Sequence, residues 1–401
     1  MKKILFVDDN QSVLAQAYEM LQPMKARHQV TLVDSGEKAL KLVLRDSYDI
    51  VISDIQMPGM NGAELLRHIQ RHSPHTVRII LSQNAGNYEL LRRMAELAHQ
   101  FIAKPLDTKT LYESLEKALT LSDLVHNENL RRLLLGVRAL PSYPGLYLEI
   151  IEELKKPNPS ADHVGEIISR DMGMSAKVVQ LVNSAYFGLS RNVTDPAQAA
   201  VMLGLETIRD LVLSLQVFSQ FDMNKLHRLG LDGLWDHSLA VAASSRSIVR
   251  TMTSDKEMLN SAFLAGLLHD MGKLLLVEHF TMKYYSTVST ARQQNIPLFA
   301  SELRSFGATH GHLGAYLLGC WGLPVKVVEA LAYHHHLEHY SGQAFSLPLA
   351  IHVADALCHQ AQTRPDQTPA PQVDTAYLEE LQLLDRLPEW QEICQSIEAM
   401  G

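Results

Sequence analysis

Five short apolar runs in the first 121 residues each end at a polar residue, and this pattern limits the possible folds more than any other feature. Five amphipathic segments with helical spacing alternate with these runs, as buried strands alternate with helices in a doubly wound sheet. The pattern therefore predicts an α/β domain with a five-stranded parallel sheet over residues 1–121. The predicted strands are residues 4–7, 29–33, 49–53, 77–81 and 100–103.

The polar residues that follow the predicted strands are expected to meet at one edge of the sheet, where open α/β sheets form their active crevice. They are Asp8 and Asp9 after the first strand, Asp54 after the third, Ser82 after the fourth and Lys104 after the fifth. Three carboxylates at one edge repel each other unless a cation joins them, and Mg²⁺ prefers oxygen ligands of this kind. Asp54 is then the expected nucleophile toward a phosphoryl group, with Lys104 neutralising phosphoryl oxygens and Ser82 donating a hydrogen bond to one.

Residues 1–121 resemble the response-regulator receiver domain, which has a flavodoxin-like fold. The motifs that carry the resemblance are VDD at 7–9, SDIQMPGMNG at 53–62, LSQNA at 81–85 and AKP at 103–105. The resemblance implies that a histidine kinase or a phosphotransfer protein phosphorylates Asp54. It also implies a Mg²⁺ site formed by Asp8, Asp9, Asp54 and the backbone carbonyl of Gln56.

The same resemblance implies a switch that responds to phosphorylation. The acyl phosphate on Asp54 would draw Ser82 toward it, and Phe101, the switch aromatic, would turn inward. The peptide bond between Lys104 and Pro105 is expected to be cis. The alternative is an ordinary flavodoxin-like domain whose acids only cap loops, but five matched positions at four strand ends argue against it.

After residue 121 the strand pattern disappears, and long segments with apolar residues at i, i+3 and i+4 predict an all-α region. A connecting helix or linker is predicted over residues 122–138 and a helical bundle over 139–360. Residues 361–401 are interpreted as a loop followed by terminal helices. Within the bundle, a single helix is predicted over residues 196–218.

Histidine and aspartate residues of the helical half have the pattern of a buried metal centre. The adjacent His269 and Asp270 offer an imidazole and a carboxylate to one cation. Further candidate ligands lie in apolar helical segments, from which they can point into the bundle core. These are His237, His310, His334, His335 and Asp355, with Lys273 as a candidate phosphate contact. Such a cluster can hold one or two metal ions and activate a bound water near neutral pH, although each histidine taken alone is more often a hydrogen-bonded core residue.

Residues 130–355 resemble the HDOD domain, an HD-like helical bundle related to the HD and HD-GYP phosphohydrolases. The motifs are LPSYPG at 140–145, IISRDMGMSAKVVQLVNSAYFG at 167–188, AAVMLGLETIRDLVL at 199–213, LLHDMGKLLL at 267–276, FGATHGHLGAYLLGCWGLP at 306–324 and YHHH at 333–336. The seven candidate ligands resemble the HD-GYP series, which implies iron, manganese or zinc. For the paired histidines, His335–His336 fits that series as well as His334–His335.

Two departures from the HD-GYP pattern bear on catalysis. Gly233 stands where those enzymes often have a glutamate, and LEHYSGQA at 337–344 replaces the GYP signature. HDOD domains are generally regarded as signalling modules without established catalysis. The resemblance therefore favours an output by protein interaction or nucleotide sensing, without substrate turnover. The alternative is a metal-dependent phosphohydrolase that acts on a cyclic dinucleotide or another nucleotide.

Composition narrows the expected partners and location. Lys and Arg number 36 against 44 Asp and Glu, and no basic recognition helix is visible, so no DNA partner is expected. No segment approaches the roughly 18 apolar residues of a membrane span, and three widely spaced cysteines indicate a reducing, cytoplasmic setting. The expected partners are a sensor histidine kinase or phosphotransfer protein and an unidentified downstream signalling protein. A homodimer is a further expectation, because receivers frequently dimerise.

Overall fold

The chain forms two compact units in a computed structural model that describes residues 1–73, 75–82, 97–125, 128–135, 145–182, 193–221, 223–229, 231, 233–321, 323–340, 342, 344–361 and 368–399. The first unit comprises Met1–Arg131 and Tyr316–Val325. The second comprises Arg132–Ala315 and Lys326–Gly401. The first contains the only sheet among the described residues, and the second is helical.

The first unit is built on a five-stranded parallel sheet in the order β2-β1-β3-β4-β5. Its central strands are mostly apolar and almost wholly buried, as expected for a parallel sheet. The predicted fold class is confirmed, with each strand within one residue of its predicted bounds. The strands are β1 (Lys3–Val7), β2 (Gln29–Val33), β3 (Ile50–Asp54), β4 (Val77–Ser82) and β5 (Gln100–Ala103), and the helices of this part of the chain are α1 (Gln11–Leu21), α2 (Gly36–Arg45), α3 (Gly62–His72) and α4 (Thr108–Val125).

The loops at the carboxyl edge of the sheet are fixed by side chains that cap the helices. The side chain of Asn10 accepts a hydrogen bond from the Ser12 backbone N–H at the start of α1. Asn61 caps α3 in the same way, and the carboxylate of Glu37 accepts a hydrogen bond of 2.7 Å from the Met60 backbone N–H. These contacts hold the loops in which the predicted phosphoryl site lies. The helix predicted between β4 and β5 falls mostly on residues 83–96, which lie outside the described residues.

The remaining helices are mostly short, and the described ones start or stop at polar caps, prolines or glycines. α12 is central to the second unit, because α13, α18 and α20 all pack against it. These helices are α5 (Glu128–Leu135), α6 (Gly145–Leu154), α7 (Ala161–Ser169), α8 (Met172–Val182), α9 (Pro196–Leu203), α10 (Leu205–Phe218), α11 (Met223–Arg228), α12 (Leu234–Met252), α13 (Lys256–Leu268), α14 (Met271–Gln294), α15 (Leu298–Phe306), α16 (His310–Cys320), α17 (Val325–Tyr333), α18 (Leu347–Ala361), α19 (Thr375–Glu380) and α20 (Leu387–Glu398).

Two details differ from the sequence-based expectations. The single helix predicted over residues 196–218 is wrong, because Gly204 separates α9 from α10. Its φ of 89° lies in the left-handed region, which glycine reaches without a steric cost. In addition, α4 continues to Val125, so the boundary predicted after residue 121 lies inside a helix. Among the helices that the structure describes, none is both long and apolar enough to cross a bilayer.

Candidate functional sites

The carboxyl edge of the sheet brings together five of the predicted residues, which we call the acid pocket: Asp8, Asp9, Asp54, Ser82 and Lys104. The Nζ atom of Lys104 lies 2.6 Å from Oδ2 of Asp8 and 2.7 Å from Oδ2 of Asp54. One carboxylate oxygen from each of Asp8, Asp9 and Asp54 lies within 4.8 Å of the other two. The register of four neighbouring strands, β1, β3, β4 and β5, thus sets the geometry of the pocket.

Backbone groups orient the carboxylates of the acid pocket. Oδ1 of Asp54 accepts a hydrogen bond of 2.7 Å from the Ile55 N–H, and the Gln56 nitrogen follows at 3.5 Å. Oδ1 of Asp8 accepts one of 3.0 Å from the Asn10 N–H. Asp8 and Asp54 are buried whereas Asp9 is exposed, so the pocket opens on the Asp9 side.

Burial and charge act against each other in this pocket. Burial raises the pKa of Asp8 above its ordinary value, although the Lys104 hydrogen bond opposes the shift. Burial alone would lower the pKa of Lys104, but hydrogen bonds to Asp54 and Asp8 outweigh it and raise that pKa. Lys104 is therefore a permanent cation between the two carboxylates.

The structure describes only one of the two predicted switch side chains, that of Ser82. Ser82 ends β4 with a buried side chain, and its carbonyl accepts a 2.8 Å hydrogen bond from the Lys104 backbone N–H. The peptide bond between Lys104 and Pro105 is cis, as the resemblance implied. The side chain of Phe101 lies outside the described residues, so the Ser82–Phe101 coupling stays a prediction.

The second unit gathers all seven predicted ligands into one group, the histidine cluster: His237, His269, Asp270, His310, His334, His335 and Asp355. These residues come from α12, from the ends of α13, α16 and α17, and from α18. A glycine is needed at one crossing, because a Cβ atom on Gly272 would overlap the backbone carbonyl of His310. The close approach of α14 and α16 at Gly272 brings Asp270 beside His310.

One part of the cluster, the first position, is centred on Asp355. Nε2 of His237 lies 3.0 Å from Oδ1 of Asp355, and Nε2 of His269 lies 3.5 Å from the same oxygen. Oδ2 of Asp270 is 3.4 Å from Nε2 of His269 and 4.0 Å from Nε2 of His237. Four side chains from three parts of the chain therefore surround one point.

The other part, the second position, is formed by His310, His334 and His335, whose ligand nitrogens lie within 4.8 Å of one another. Nε2 of His310 lies 3.2 Å from Nε2 of His335 and 3.1 Å from Oδ1 of Asp270. Asp270 thus presents one oxygen to each position. A carboxylate placed in this way suits a bridge between two cations.

Hydrogen bonds on the far side of the rings fix how the histidines face the cluster. Nδ1 of His269 donates to the Gly266 carbonyl at 2.8 Å, and Nδ1 of His334 donates to the Leu331 carbonyl at 2.7 Å. Their Nε2 lone pairs then face inward, which is how metal-ligating histidines are held. Nε2 of His334 is buried without a hydrogen-bond partner. Because a buried nitrogen of this kind needs a partner, the donor set fits a metal ion.

Burial and neighbouring charges shift the pKa values of the ligands in different directions: nearby carboxylates raise those of His269 and His310, although burial alone would lower them. Burial lowers the pKa values of His334 and His335 well below their ordinary value, so both imidazoles are neutral. Burial alone would raise the pKa of Asp270, but His269 and Lys273 outweigh it and hold that pKa well below its usual range. The predicted phosphate contact, Lys273, is itself buried with its Nζ atom 2.6 Å from Oδ2 of Asp270.

Glu302 on α15 contacts the histidine cluster, and the sequence analysis did not predict it. It is fully buried and accepts hydrogen bonds from the backbone N–H of His310 at 2.8 Å and from Nδ1 of His310 at 2.6 Å. The hydroxyl of Tyr284 donates to its other oxygen at 2.8 Å. Burial alone would lower the pKa of His310, but Glu302 and Asp270 raise it to about 9. Because a turn separates Glu302 from His310, helical spacing gave no signal for it.

His359 is the second residue that was missed, and here a signal existed. It lies four residues after Asp355 on α18, which puts both on the same helix face. Its ring stacks on that of His237 with centroids 4.0 Å apart. Burial lowers the pKa of His359 to about 3, so its imidazole is neutral.

The structure also distinguishes the two possible pairs of adjacent histidines. His334 and His335 join the cluster, whereas Nδ1 of His336 lies 3.1 Å from Oε1 of Glu338. His352, another buried histidine of α18, uses both ring nitrogens in hydrogen bonds to backbone groups of His334 and Asp374. It therefore has no nitrogen left for a metal.

Family models match both halves of the chain. Residues 4–116 match the response regulator receiver domain, and residues 140–337 match the HDOD domain. A solved HDOD domain protein of unknown function from Geobacter sulfurreducens shares the fold of the second match, with 22% identity and a TM-score of 0.54. That comparison covers 68% of this chain and 93% of the Geobacter chain.

Curated relatives match parts of the chain. An uncharacterized protein of Treponema pallidum is 24% identical over 203 residues, which are 50% of this chain and 38% of that protein. The response regulator protein FleR of Pseudomonas aeruginosa is 29% identical over 111 residues, 28% of this chain and 23% of FleR. Sporulation initiation phosphotransferase F of Bacillus subtilis is 29% identical over 121 residues, 30% of this chain and 95% of that protein. The chain thus spans less than two fifths of the first two of these relatives.

Proposed function

We propose that this chain, which is a response regulator receiver domain followed by an HDOD domain, is a response regulator that signals through its HDOD domain after phosphorylation of Asp54. The observation that carries the proposal is the meeting of Asp8, Asp54 and Lys104 at the carboxyl ends of three parallel strands. A carboxylate held between backbone N–H groups and an ammonium group is ready to accept a phosphoryl group. A sensor histidine kinase or a phosphotransfer protein would be the donor.

The acid pocket supplies each group that this transfer needs. A carboxylate oxygen of Asp54 forms the new O–P bond, while the P–N bond of the donor phosphohistidine breaks. The electron pair of the broken bond stays on the imidazole nitrogen, which takes up a proton. Lys104 neutralises phosphoryl oxygens, and the Ser82 hydroxyl donates a hydrogen bond to one of them.

The carboxylates of the pocket fit a Mg²⁺ ion. Asp8, Asp9 and Asp54 would hold it together with the backbone carbonyl of Gln56. One carboxylate oxygen of each of the three acids already lies within 4.8 Å of the other two. The bound ion would neutralise charge on the incoming phosphoryl group. Phosphorylation adds negative charge beside Lys104, and in the proposed switch Ser82 and Phe101 then move toward the phosphoryl group.

A phosphorylation assay on the full-length protein tests this function. The protein is incubated with Mg²⁺ and acetyl phosphate, and the phosphorylated fraction is measured on a phosphate-affinity gel. We expect wild type and Asp34→Asn, a matched change of a half-buried aspartate paired with Lys38, to be labelled equally. Asp54→Asn should lose the label completely. Labelling of Asp54→Asn at the wild-type level would contradict the proposal.

For the HDOD domain we propose a metal-containing centre that senses a ligand or controls a protein interaction. The first position would be held by His237, His269, Asp270 and Asp355, and the second by Asp270 with His310, His334 and His335. Iron, manganese and zinc all suit a mixed imidazole and carboxylate set. The bound ions would supply positive charge that an anionic ligand such as a nucleotide phosphate can approach.

A second candidate function for this domain is metal-dependent phosphohydrolysis of a cyclic dinucleotide or another nucleotide. The observation that favours it is the placement of Asp270 between two groups of ligands. The two functions separate in one experiment on the metal-loaded full-length protein with a panel of nucleotides. Binding without product formation supports sensing, whereas product formation that Asp270→Ala abolishes supports hydrolysis.

A further inference from the structure

We infer that His359 is an additional protein ligand at the first position, which would leave less room there for a metal-bound water. This inference rests on the proposed metal-containing centre and makes it more specific. None of the motifs that define the domain includes His359. Its side chain nevertheless belongs to the same group of donor atoms as His237 and Asp270, all within 4.8 Å of one another.

Three imidazole nitrogens converge on a single carboxylate oxygen. The Nε2 atoms of His237 and His359 lie 3.0 Å and 3.5 Å from Oδ1 of Asp355. Nε2 of His269 lies 3.5 Å from the same oxygen. A carboxylate oxygen has two lone pairs, so three hydrogen bonds exceed what it can accept well.

Nε2 of His269 is buried without a hydrogen-bond partner, while Nδ1 of the same ring donates to the Gly266 carbonyl at 2.8 Å. A buried nitrogen of this kind needs a partner, and a metal ion would supply one. Such an ion would also lie within reach of Nε2 of His359, because that nitrogen lies 3.5 Å from the same oxygen of Asp355.

The stacking of His359 on His237 fixes the orientation of the His359 ring. The two rings are 21° from parallel with centroids 4.0 Å apart, and the Nε2 atoms of both lie within 3.5 Å of Oδ1 of Asp355. Asp355 holds His359 from the same helix, one turn away. A side chain that served only to fill space here would not need a nitrogen aimed at the shared oxygen.

His359 changes what the first position can do. Without it, four donors are present, namely Nε2 of His237 and His269 and one oxygen each of Asp270 and Asp355. With it, five protein donors surround the point. Each added protein donor leaves less room for water or substrate on a bound ion. His359 would therefore favour a retained ion at the first position.

The test uses full-length protein loaded with Co²⁺, a spectroscopic probe for sites of this type. In the ¹H NMR spectrum, each coordinated histidine that keeps a ring N–H gives an exchangeable, strongly shifted signal. We expect His359→Ala to lose one such signal. Its visible bands should also respond to added azide at concentrations at least about tenfold lower than those that affect wild type, a difference of roughly 1.4 kcal/mol.

Two further variants separate ligation from the other roles of the ring. His359→Phe keeps a ring to stack on His237, and His359→Gln keeps a polar group beside Asp355. Both should behave like His359→Ala if the nitrogen is a ligand. A wild-type spectrum from either variant, or an unchanged number of shifted signals in His359→Ala, would overturn the inference. If wild type binds no Co²⁺ at all, the metal-containing centre itself fails, which is a different result.

Discussion

The acid pocket and the histidine cluster both collect charged and polar side chains, but they are built in opposite ways. The acid pocket already contains a cation, because Lys104 lies between Asp8 and Asp54. Its donors are oxygens on loops at one open edge of a sheet. The histidine cluster is closed within helices, and four of its imidazole nitrogens are buried without a hydrogen-bond partner, among them Nε2 of His269 and of His334.

If the proposed functions hold, this difference gives one chain two kinds of metal chemistry. Oxygen donors and an exposed Asp9 suit a hard ion such as Mg²⁺, which keeps waters and exchanges readily. Buried imidazoles with fixed tautomers suit an ion that stays bound through purification. We therefore expect the receiver domain to use its metal only while it handles a phosphoryl group, whereas the HDOD domain keeps its metal as part of its structure.

The ways in which the two sites are assembled also differ. Strand register places Asp8, Asp54 and Lys104, and each residue follows directly from an apolar run that ends beside it. In the histidine cluster, His237 and Asp355 are 118 residues apart and meet only when the whole helical unit is packed. Metal binding at the cluster should therefore stabilise that unit, since it binds only the folded state.

The largest expected effect is the loss of metal from Asp270→Ala in the full-length protein. Asp270 gives one oxygen to each position, so its removal weakens both. We expect most of the bound iron, manganese or zinc to be absent from the variant by elemental analysis, while phosphorylation of Asp54 stays at the wild-type level. Asp236→Ala, a change at an exposed residue beside His237, serves as the control.

If Asp270→Ala also changed the phosphorylation of Asp54, the two sites would have to be treated as coupled. An Asp270→Ala protein that kept its metal would show that Asp270 does not hold ions at the two positions. A variant that lost both its metal and its phosphorylation would show that the comparison between an exchangeable and a retained site is wrong. Circular dichroism would establish that the variant is folded in either case.

A smaller effect is expected from Glu302→Gln, which acts through His310. The carboxylate of Glu302 accepts the Nδ1–H of His310 and so keeps Nε2 aimed at Asp270 and His335. Loss of such a hydrogen-bonded carboxylate typically weakens metal affinity about 10–100-fold. The measurement is a competition titration against a chelator. Glu329→Gln, a half-buried glutamate of α17, is the matched control, and equal affinities of both variants would refute the role assigned to Glu302.

The sequence alone was sufficient to predict features that depend on residues close together in the chain. The acid pocket was predictable because Asp8, Asp54 and Ser82 each end an apolar run, and parallel strands bring such ends together. The helix over residues 196–218 was predicted wrongly because the apolar spacing continues across Gly204, although the backbone turns there. A periodic pattern reports which residues are buried, but it does not report a single residue with positive φ.

Features that depend on packing between distant helices could not be predicted in the same way. Glu302 meets His310 only because α15 turns back before α16, and no pattern in the chain marks that turn as functional. His359 is an intermediate case. Its spacing from Asp355 on α18 was visible, but its distance to His237 on α12 depends on how those two helices pack.

The smallest expected effect tests the helix crossing that unites the two positions. A Cβ atom on Gly272 would meet the backbone of His310, which cannot move as a side chain can. In Gly272→Ala, α14 and α16 must separate, and we expect a loss of about 1–3 kcal/mol in the free energy of unfolding of the helical unit. Its metal affinity should fall as well, because Asp270 moves away from His310.

Gly233→Ala is the control for this substitution, since a Cβ atom there would meet nothing within 4 Å and the φ of −82° suits alanine. Thermal unfolding followed by calorimetry, together with the phosphorylation assay, measures both sites in one protein. We expect Gly272→Ala to lower the unfolding temperature of the helical unit and to leave phosphorylation of Asp54 unchanged. Equal unfolding temperatures for the two alanine variants would mean that the crossing tolerates a shift. The position of Asp270 between the two groups of ligands would then not depend on close helix packing. The acid pocket, in contrast, depends on the register of its strands.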